Sequence, residues 1–195
     1  MQSLSTRSDI RKHIRTLRVA LTKSEQQSAA FQLVAQFHQL PELNSAKNVA
    51  LYLANDGEID PYLVIQWCWK NNINTCIPVL HPFSKGQLLF LRFTPDTELA
   101  PNKYGILEPT LSVAEIVPVA ELDIIFTPLV AFDTHGHRLG MGGGYYDRTL
   151  TPFIDSSTPK PIGIAHDCQQ LDTLPNKDWD VPLGKIITPS KTWSW

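Results

Sequence analysis

LDIIFTPLVAFD, residues 122–133, is the stretch whose reading decides the fold. It is apolar on both faces that a strand would present, as a strand covered by other layers on each side would be. Other runs have the same length and character: NVALYLA (48–54), NTCIPVL (74–80), PIGIAHD (161–167) and GKIITPS (184–190). GQLLFLRF (86–93) fits a further strand, with helix left open for so short a run. Helical patterns lie among them. In SDIRKHIRTLRVAL (8–21), Ile10, Ile14, Leu17 and Leu21 fall on one helical face, with Arg11, Lys12, Arg15 and Arg18 spread over the rest. TKSE places Thr22 and Glu25 as a capping box for a second helix, and Asp60-Pro61 opens a third, through about Lys70. Buried strands alternating with helices predict an α/β fold with a mainly parallel sheet. Residues 94–110, rich in Pro, Gly and polar side chains, read as a long surface connection.

A chain of 195 residues, 43% hydrophobic, suits one domain better than two. A net charge of -2 argues against a general nucleic-acid binder. Cys68, Cys76 and Cys168 show neither a zinc spacing nor a disulfide framework, so reduced thiols in the cytoplasm are the expectation. The N-terminus lacks the apolar stretch of a signal peptide, and nowhere do about 18 apolar residues run together to span a membrane.

The central strand candidate feeds into RLGMGGGYYDR (138–148), which sets four glycines in five positions. Glycine amides can approach a ligand closely, and successive N–H groups form an anion nest, with phosphate the natural guest. The loop is neither a P-loop, since no Gly-Lys-Ser/Thr follows, nor a dinucleotide fingerprint, since the third required glycine falls on Tyr145. The alternative is a tight structural turn; Arg138, Asp147 and Arg148 around it favour the anion site. Asp147 makes sense if Mg²⁺ lies between carboxylate and phosphate.

FDTHGHRLGMGGGYYDRTL (132–150) resembles the signature of the 5-formyltetrahydrofolate cyclo-ligase family, also called 5,10-methenyltetrahydrofolate synthetases. The resemblance extends in order over the basic first helix, LYLANDGEID, CIPVL, YGILEP, DIIFTPLVAFD and WDVPLGKIITPS. It implies a single three-layer α/β/α domain over residues 1–195. It also implies an ATP- and Mg²⁺-dependent closure of 5-formyltetrahydrofolate to the 5,10-methenyl form, releasing ADP and phosphate. In the family's proposed mechanism the formyl oxygen is phosphorylated and N10 attacks. Arg7 and Arg11 match nucleotide-contacting positions, the first commonly lysine in relatives. Arg138, Leu139, Gly140, Met141, Gly142, Gly143, Gly144, Tyr145 and Tyr146 would hold ATP. Leu53, Glu58, Tyr104 and Met141 through Tyr145 match folate positions. Asp147 and Asp180 match magnesium positions, Trp179 standing where many relatives carry His.

Arg138, Arg148 and Tyr145 are the candidate catalytic residues, with Tyr145 facing ligand and Tyr146 packing inward. His135 and His137 read as loop residues, and His166 as a possible lining residue. The expected partners are a reduced folate and ATP, with no nucleic acid and no membrane, on a monomer. The phosphate cradle alone also suits a different small-molecule kinase, or a nucleotide- or RNA-binding module without turnover. The intact glycine loop, Glu58 and Asp180 argue against the module without turnover, while folate specificity is not shown by the loop alone.

Overall fold

A computed structural model describes residues 6–175, Lys177 and residues 180–195. The first part of the chain forms α1 (Arg7–Val19), α2 (Lys23–Phe37), β1 (Asn48–Ala50), α3 (Tyr62–Lys70), β2 (Asn74–Leu80) and β3 (Leu88–Phe93). Then come β4 (Leu99–Pro101), β5 (Leu107–Pro109), β6 (Ile116–Val117), β7 (Ile124–Pro128), β8 (Ala131–Asp133) and β9 (Arg138–Leu139). Helix α4 (Tyr145–Leu150) follows, with β10 (Lys160–Ile164), β11 (Gln170–Leu171), β12 (Lys185–Ile187) and β13 (Thr192–Ser194).

Eight strands form one sheet in the order β13-β12-β10-β7-β1-β2-β3-β6. The five from β12 to β2 run parallel; β13 at one edge and β3 with β6 at the other pair antiparallel. Strand alternation sorts the side chains. Val49, Ile124 and Phe126 pack under α2 and α3, while Ala50, Cys76 and Ile125 face the opposite layer with Leu150 of α4. The fold is therefore α/β with helices on both faces of a mixed, mainly parallel sheet. Helix α2 starts as its sequence requires. Glu25 N donates to Thr22 Oγ1 at 3.2 Å, and Thr22 N donates to Glu25 Oε2 at 2.7 Å.

Three expectations change. Residues 122–133 do not form one strand. The chain leaves the large sheet at Pro128, and β8 pairs instead with β9 and β11 in a small sheet. The carbonyls of Leu129 and Val130 accept from the side-chain amide of Gln169 at 2.7 and 3.0 Å, which satisfies the backbone where the ladder stops. Residues 94–110 are not a plain connection but carry the β4–β5 hairpin. Asn102 Oδ1 accepts from the amides of Tyr104 and Ile106, and Gly105 takes φ +74°. Finally, the buried face of α1 is Ile10, Ile14 and Arg18, packed partly on Val130, Ala131 and Leu139. Leu17 is 38% exposed and Arg18 fully buried.

The chain passes from β1 through α3 to β2 on one side, and from β7 to β10 on the other. This is a topological switch point, where a crevice opens beyond the carboxyl ends of the strands. Among the described residues no helix is long and apolar enough to cross a membrane.

Candidate functional site

A cavity of about 480 Å³ occupies that crevice. Its wall is built from Leu53 to Glu58 after β1, the end of β2 at Val79 and Leu80, the β4–β5 hairpin, the glycine loop and the start of α4. Most of the wall is apolar. The hairpin is pinned over it by Glu108, whose Oε2 accepts from Asn102 Nδ2 at 3.0 Å and from Leu80 N at 3.4 Å. The hydroxyl of Tyr104 lies 3.1 Å from that of Tyr145, joining hairpin to helix.

The glycines have separate reasons. Gly142 and Gly144 take φ +104° and +64°, a region other residues adopt rarely. A Cβ on Gly143 would stand 2.8 Å from the Tyr145 ring. Gly140 has no such constraint from the protein, since a Cβ there would meet Arg138 Nη1 at 3.8 Å, an ordinary contact. Arginines brace the loop from outside. Arg11 Nε donates to Gly140 O at 2.8 Å, and its guanidinium lies under Gly142. Arg148 donates to the carbonyls of Gly143 and Gly86, which ties the loop to the β2–β3 connection.

Beside the loop two ion pairs form one electrostatic group. Arg138 Nη2 donates to Asp147 Oδ1 at 2.5 Å, and the Arg138 side chain is only 3% exposed. Arg7 grips both oxygens of Asp180, at 2.5 and 2.9 Å, in the fork geometry suited to a carboxylate. Burial alone would raise the Asp180 carboxyl, but the hydrogen bond and charge of Arg7 outweigh it and hold the group below the usual carboxylate range. Burial pulls the Arg138 guanidinium down, against the opposing charges of Asp147 and Asp180.

The structure thus brings together on the cavity wall Leu53, Glu58, Tyr104, Arg138, Gly140, Met141, Gly143, Gly144, Tyr145, Tyr146 and Asp147. Arg11 and Arg148 stand one contact from the cavity, on Gly140 and Gly143, while Asp180 acts on Arg138 through its charge and Arg7 lies behind Asp180. Leu139 is placed differently. Its side chain packs with Ile10 and Ile14, and its carbonyl accepts from Val130 N at 2.7 Å. Both tyrosines line the cavity and pack against the same apolar cluster, but their hydroxyls differ in depth: burial raises that of Tyr146, while that of Tyr145 meets Tyr104 at the hairpin. Trp179 lies outside the described residues.

His166 is buried behind the wall rather than in it, and burial with the nearby Arg18 charge pushes its imidazole down to about 4. His135 and His137 do gather with Asp133. However, the Asp133 oxygens accept from the amides of His135, His137 and Leu174, and one stands 3.0 Å from His137 Nδ1, so the carboxylate caps the β8–β9 turn. Sequence reasoning missed Arg18 and Asp56. Ile10, Ile14 and Arg18 stand at successive i, i+4 positions, a pattern that could have placed the arginine inside.

Residues 3–189 match the 5-formyltetrahydrofolate cyclo-ligase family over nearly the whole chain. The chain belongs to that family. The relative in Haemophilus influenzae, a 5-formyltetrahydrofolate cyclo-ligase, is 50% identical over 93% of this chain and 96% of its own length. The Escherichia coli K12 protein of the same name is 46% identical over 93% of this chain and all of its own. The solved structure of Aquifex aeolicus 5,10-methenyltetrahydrofolate synthetase superimposes with a TM-score of 0.80 at 28% identity, covering 96% of this chain and 92% of that one.

Proposed function

We propose that the cavity takes 5-formyltetrahydrofolate and Mg·ATP side by side and closes the folate to 5,10-methenyltetrahydrofolate, releasing ADP and phosphate. The observation that carries this reading is that one apolar cavity has both the unencumbered glycine loop and the half-buried carboxylate of Glu58 in its wall. A reduced folate offers an apolar ring body with N–H donors at one edge. The loop offers main-chain donors to phosphate oxygens. Gly140, which the protein itself does not require to be bare, is explained by close approach of such a ligand.

A formamide is a poor electrophile, and its oxygen leaves badly. Transfer of the γ-phosphoryl to the formyl oxygen releases ADP and makes that oxygen part of a phosphate leaving group. The N10 lone pair then forms the new C–N bond, phosphate departs with the electrons of the broken C–O bond, and the N10 proton is lost. Leu53, Tyr104 and Tyr145 enclose the rings and hold N10 near the formyl carbon, so that closure is effectively unimolecular. Glu58 accepts from the pterin N–H groups. Arg138, buried and aimed across Asp147, spreads the charge of the transferring group, with Arg7 and Arg11 on the outer phosphates. Arg148 acts through the loop, by holding the Gly143 carbonyl. Asp147 and Asp180 carry the hard oxygens that Mg²⁺ prefers, but each is ion-paired, to Arg138 and Arg7, so Mg²⁺ would have to share these oxygens with the two guanidiniums. Bound there, Mg²⁺ would neutralise charge on the β- and γ-phosphates. No nucleophilic side chain is required. We place the chain in the cytoplasm as one domain, a reading supported by its free cysteines.

The test is the near-ultraviolet absorbance of the methenyl product on mixing the purified protein with Mg·ATP and 5-formyltetrahydrofolate. Product that forms only when all three are present supports the reading, and ATP binding without product overturns it. A second expectation concerns the loop. Gly143→Val drives a side chain into the Tyr145 ring at the phosphate cradle, an overpacking of about 1–3 kcal/mol, and titration calorimetry should show ATP affinity reduced about tenfold or more. Wild-type affinity in that variant would contradict the close approach.

A further inference from the structure

We propose that Arg18 is a positioning residue that fixes the charge and orientation of Glu58, and thereby tunes how the cavity grips the N–H edge of its substrate. The inference rests on the reading that Glu58 receives the pterin. It starts from an anomaly. Arg18 lies in the last turn of α1 with its side chain fully buried, where an arginine is held only if its charge is met. Two of its nitrogens are committed to one residue: Nε donates to Asp56 O and Nη2 to Asp56 Oδ2, each at 3.0 Å. The third, Nη1, is buried without a hydrogen-bond partner and stands 3.9 Å from Glu58 Oε1. Asp56 does not cancel Arg18 alone, because the same Asp56 oxygen also accepts from Arg15 at 2.5 Å. Positive charge is therefore left over, and the nearest carboxylate with capacity is Glu58.

Glu58 is placed to use it. Its Oε2 accepts from Asn55 N at 3.1 Å, which closes a tight turn, while Oε1 faces Arg18. Burial raises the Glu58 carboxyl and the Arg18 charge opposes that rise, with Asp56 pushing it up weakly. Of the other titratable groups around this pair, Arg15 is charged but pairs with Asp56 from the exposed side, and three stay neutral near pH 7. Tyr52, beside β1, and Tyr146, on α4, are both raised by burial, and His166, facing Arg18 across Gly57, is pushed down to about 4. Asp60, which acts on Tyr52, is exposed. Arg18 and Asp56, the latter already paired with Arg15, are thus the charges that act directly on whether Glu58 meets substrate as a carboxylate. One pulls its proton affinity down and the other pushes it up.

That opposition gives the experiment its signs. The affinity of the full chain for 5-formyltetrahydrofolate is measured by titration calorimetry from pH 5 to 8, alongside KM for folate and for ATP. In the wild type, binding weakens as pH falls through the Glu58 titration. Arg18→Lys cannot span Asp56 and Glu58 at once, so the acid limb should move to higher pH and folate KM should rise several-fold, with KM for ATP unchanged. Asp56→Asn removes the opposing charge, so its limb should move to lower pH. A natively folded Arg18→Lys protein with the wild-type limb overturns the proposal. So does an Asp56→Asn limb that stays put or moves up, and that arm decides alone if Arg18→Lys does not fold. Glu58→Gln separates the two levels. A limb surviving in it overturns the assignment of Glu58 and the proposal with it. A limb lost there but unmoved in Arg18→Lys overturns only the role of Arg18.

Discussion

Asp147→Asn lowers turnover by about 10²–10³-fold, the loss typical of removing one electrostatic partner of a transition state. Two consequences of the same carboxylate must be kept apart. Asp147 is the counter-charge of Arg138, which is almost wholly buried, and it also accepts from Val181 N at 3.3 Å. Asparagine keeps an oxygen for both donors but loses the charge, so Arg138 is left with Asp180 as its remaining acidic neighbour. The protein should fold, with stability reduced by about 1–3 kcal/mol in thermal or urea unfolding. The catalytic loss has a different signature. If Asp147 holds Mg²⁺, the concentration of Mg²⁺ needed for half-maximal turnover rises in the variant, whereas the loss from the Arg138 pair is already present in metal-free protein and can only grow when Mg²⁺ is added. Turnover equal to wild type at limiting Mg²⁺ would remove Asp147 from that role and leave it as the partner of Arg138.

The second large effect falls on substrate binding. Glu58→Gln replaces a charged acceptor with a neutral one in a low-dielectric wall, where a hydrogen bond to a charged group contributes about 1.5–3 kcal/mol. Folate KM should rise by about ten- to a hundredfold, while KM for ATP, held at the loop, changes little. With Glu58 as the acceptor, wild-type affinity for 5-formyltetrahydrofolate should fall with decreasing pH, because burial raises the Glu58 carboxyl and protonation removes the acceptor. The sign is fixed: the ionised form binds, so affinity is full above the raised value and lost below it. An equal rise in both KM values would point to a general disturbance of the cavity instead.

What the sequence made legible was mostly local. The glycine loop, the capping box of Thr22 and Glu25, and the apolar strands were readable because each depends on residues next to one another. Two failures were of range. Residues 122–133 look like one strand because nothing near Leu129 announces that Gln169, 40 residues away, will take its carbonyl. Arg7 and Asp180 lie 173 positions apart, so their pairing could enter only through the family resemblance. The hairpin over the cavity failed for a different reason. Its turn chemistry, Asn102 followed by Gly105, is present, but the Pro and polar residues around it give the whole stretch the composition of a loop. Arg18 defeats the pattern because a charged residue on a helix is solvated by default, so apolar Leu17 fits the inner face better by type although Arg18 aligns with Ile10 and Ile14. In each case the local preference was real and a tertiary partner outweighed it.

The most direct measurement is a crystal structure of the chain with 5-formyltetrahydrofolate, Mg²⁺ and a non-hydrolysable ATP analogue. The terminal phosphate should lie against the main-chain N–H groups of residues 140–144, with the pterin edge on Glu58 and the formyl oxygen facing the γ-phosphorus. A triphosphate bound elsewhere, with those amides turned into the protein and the cavity filled by folate alone, would contradict it.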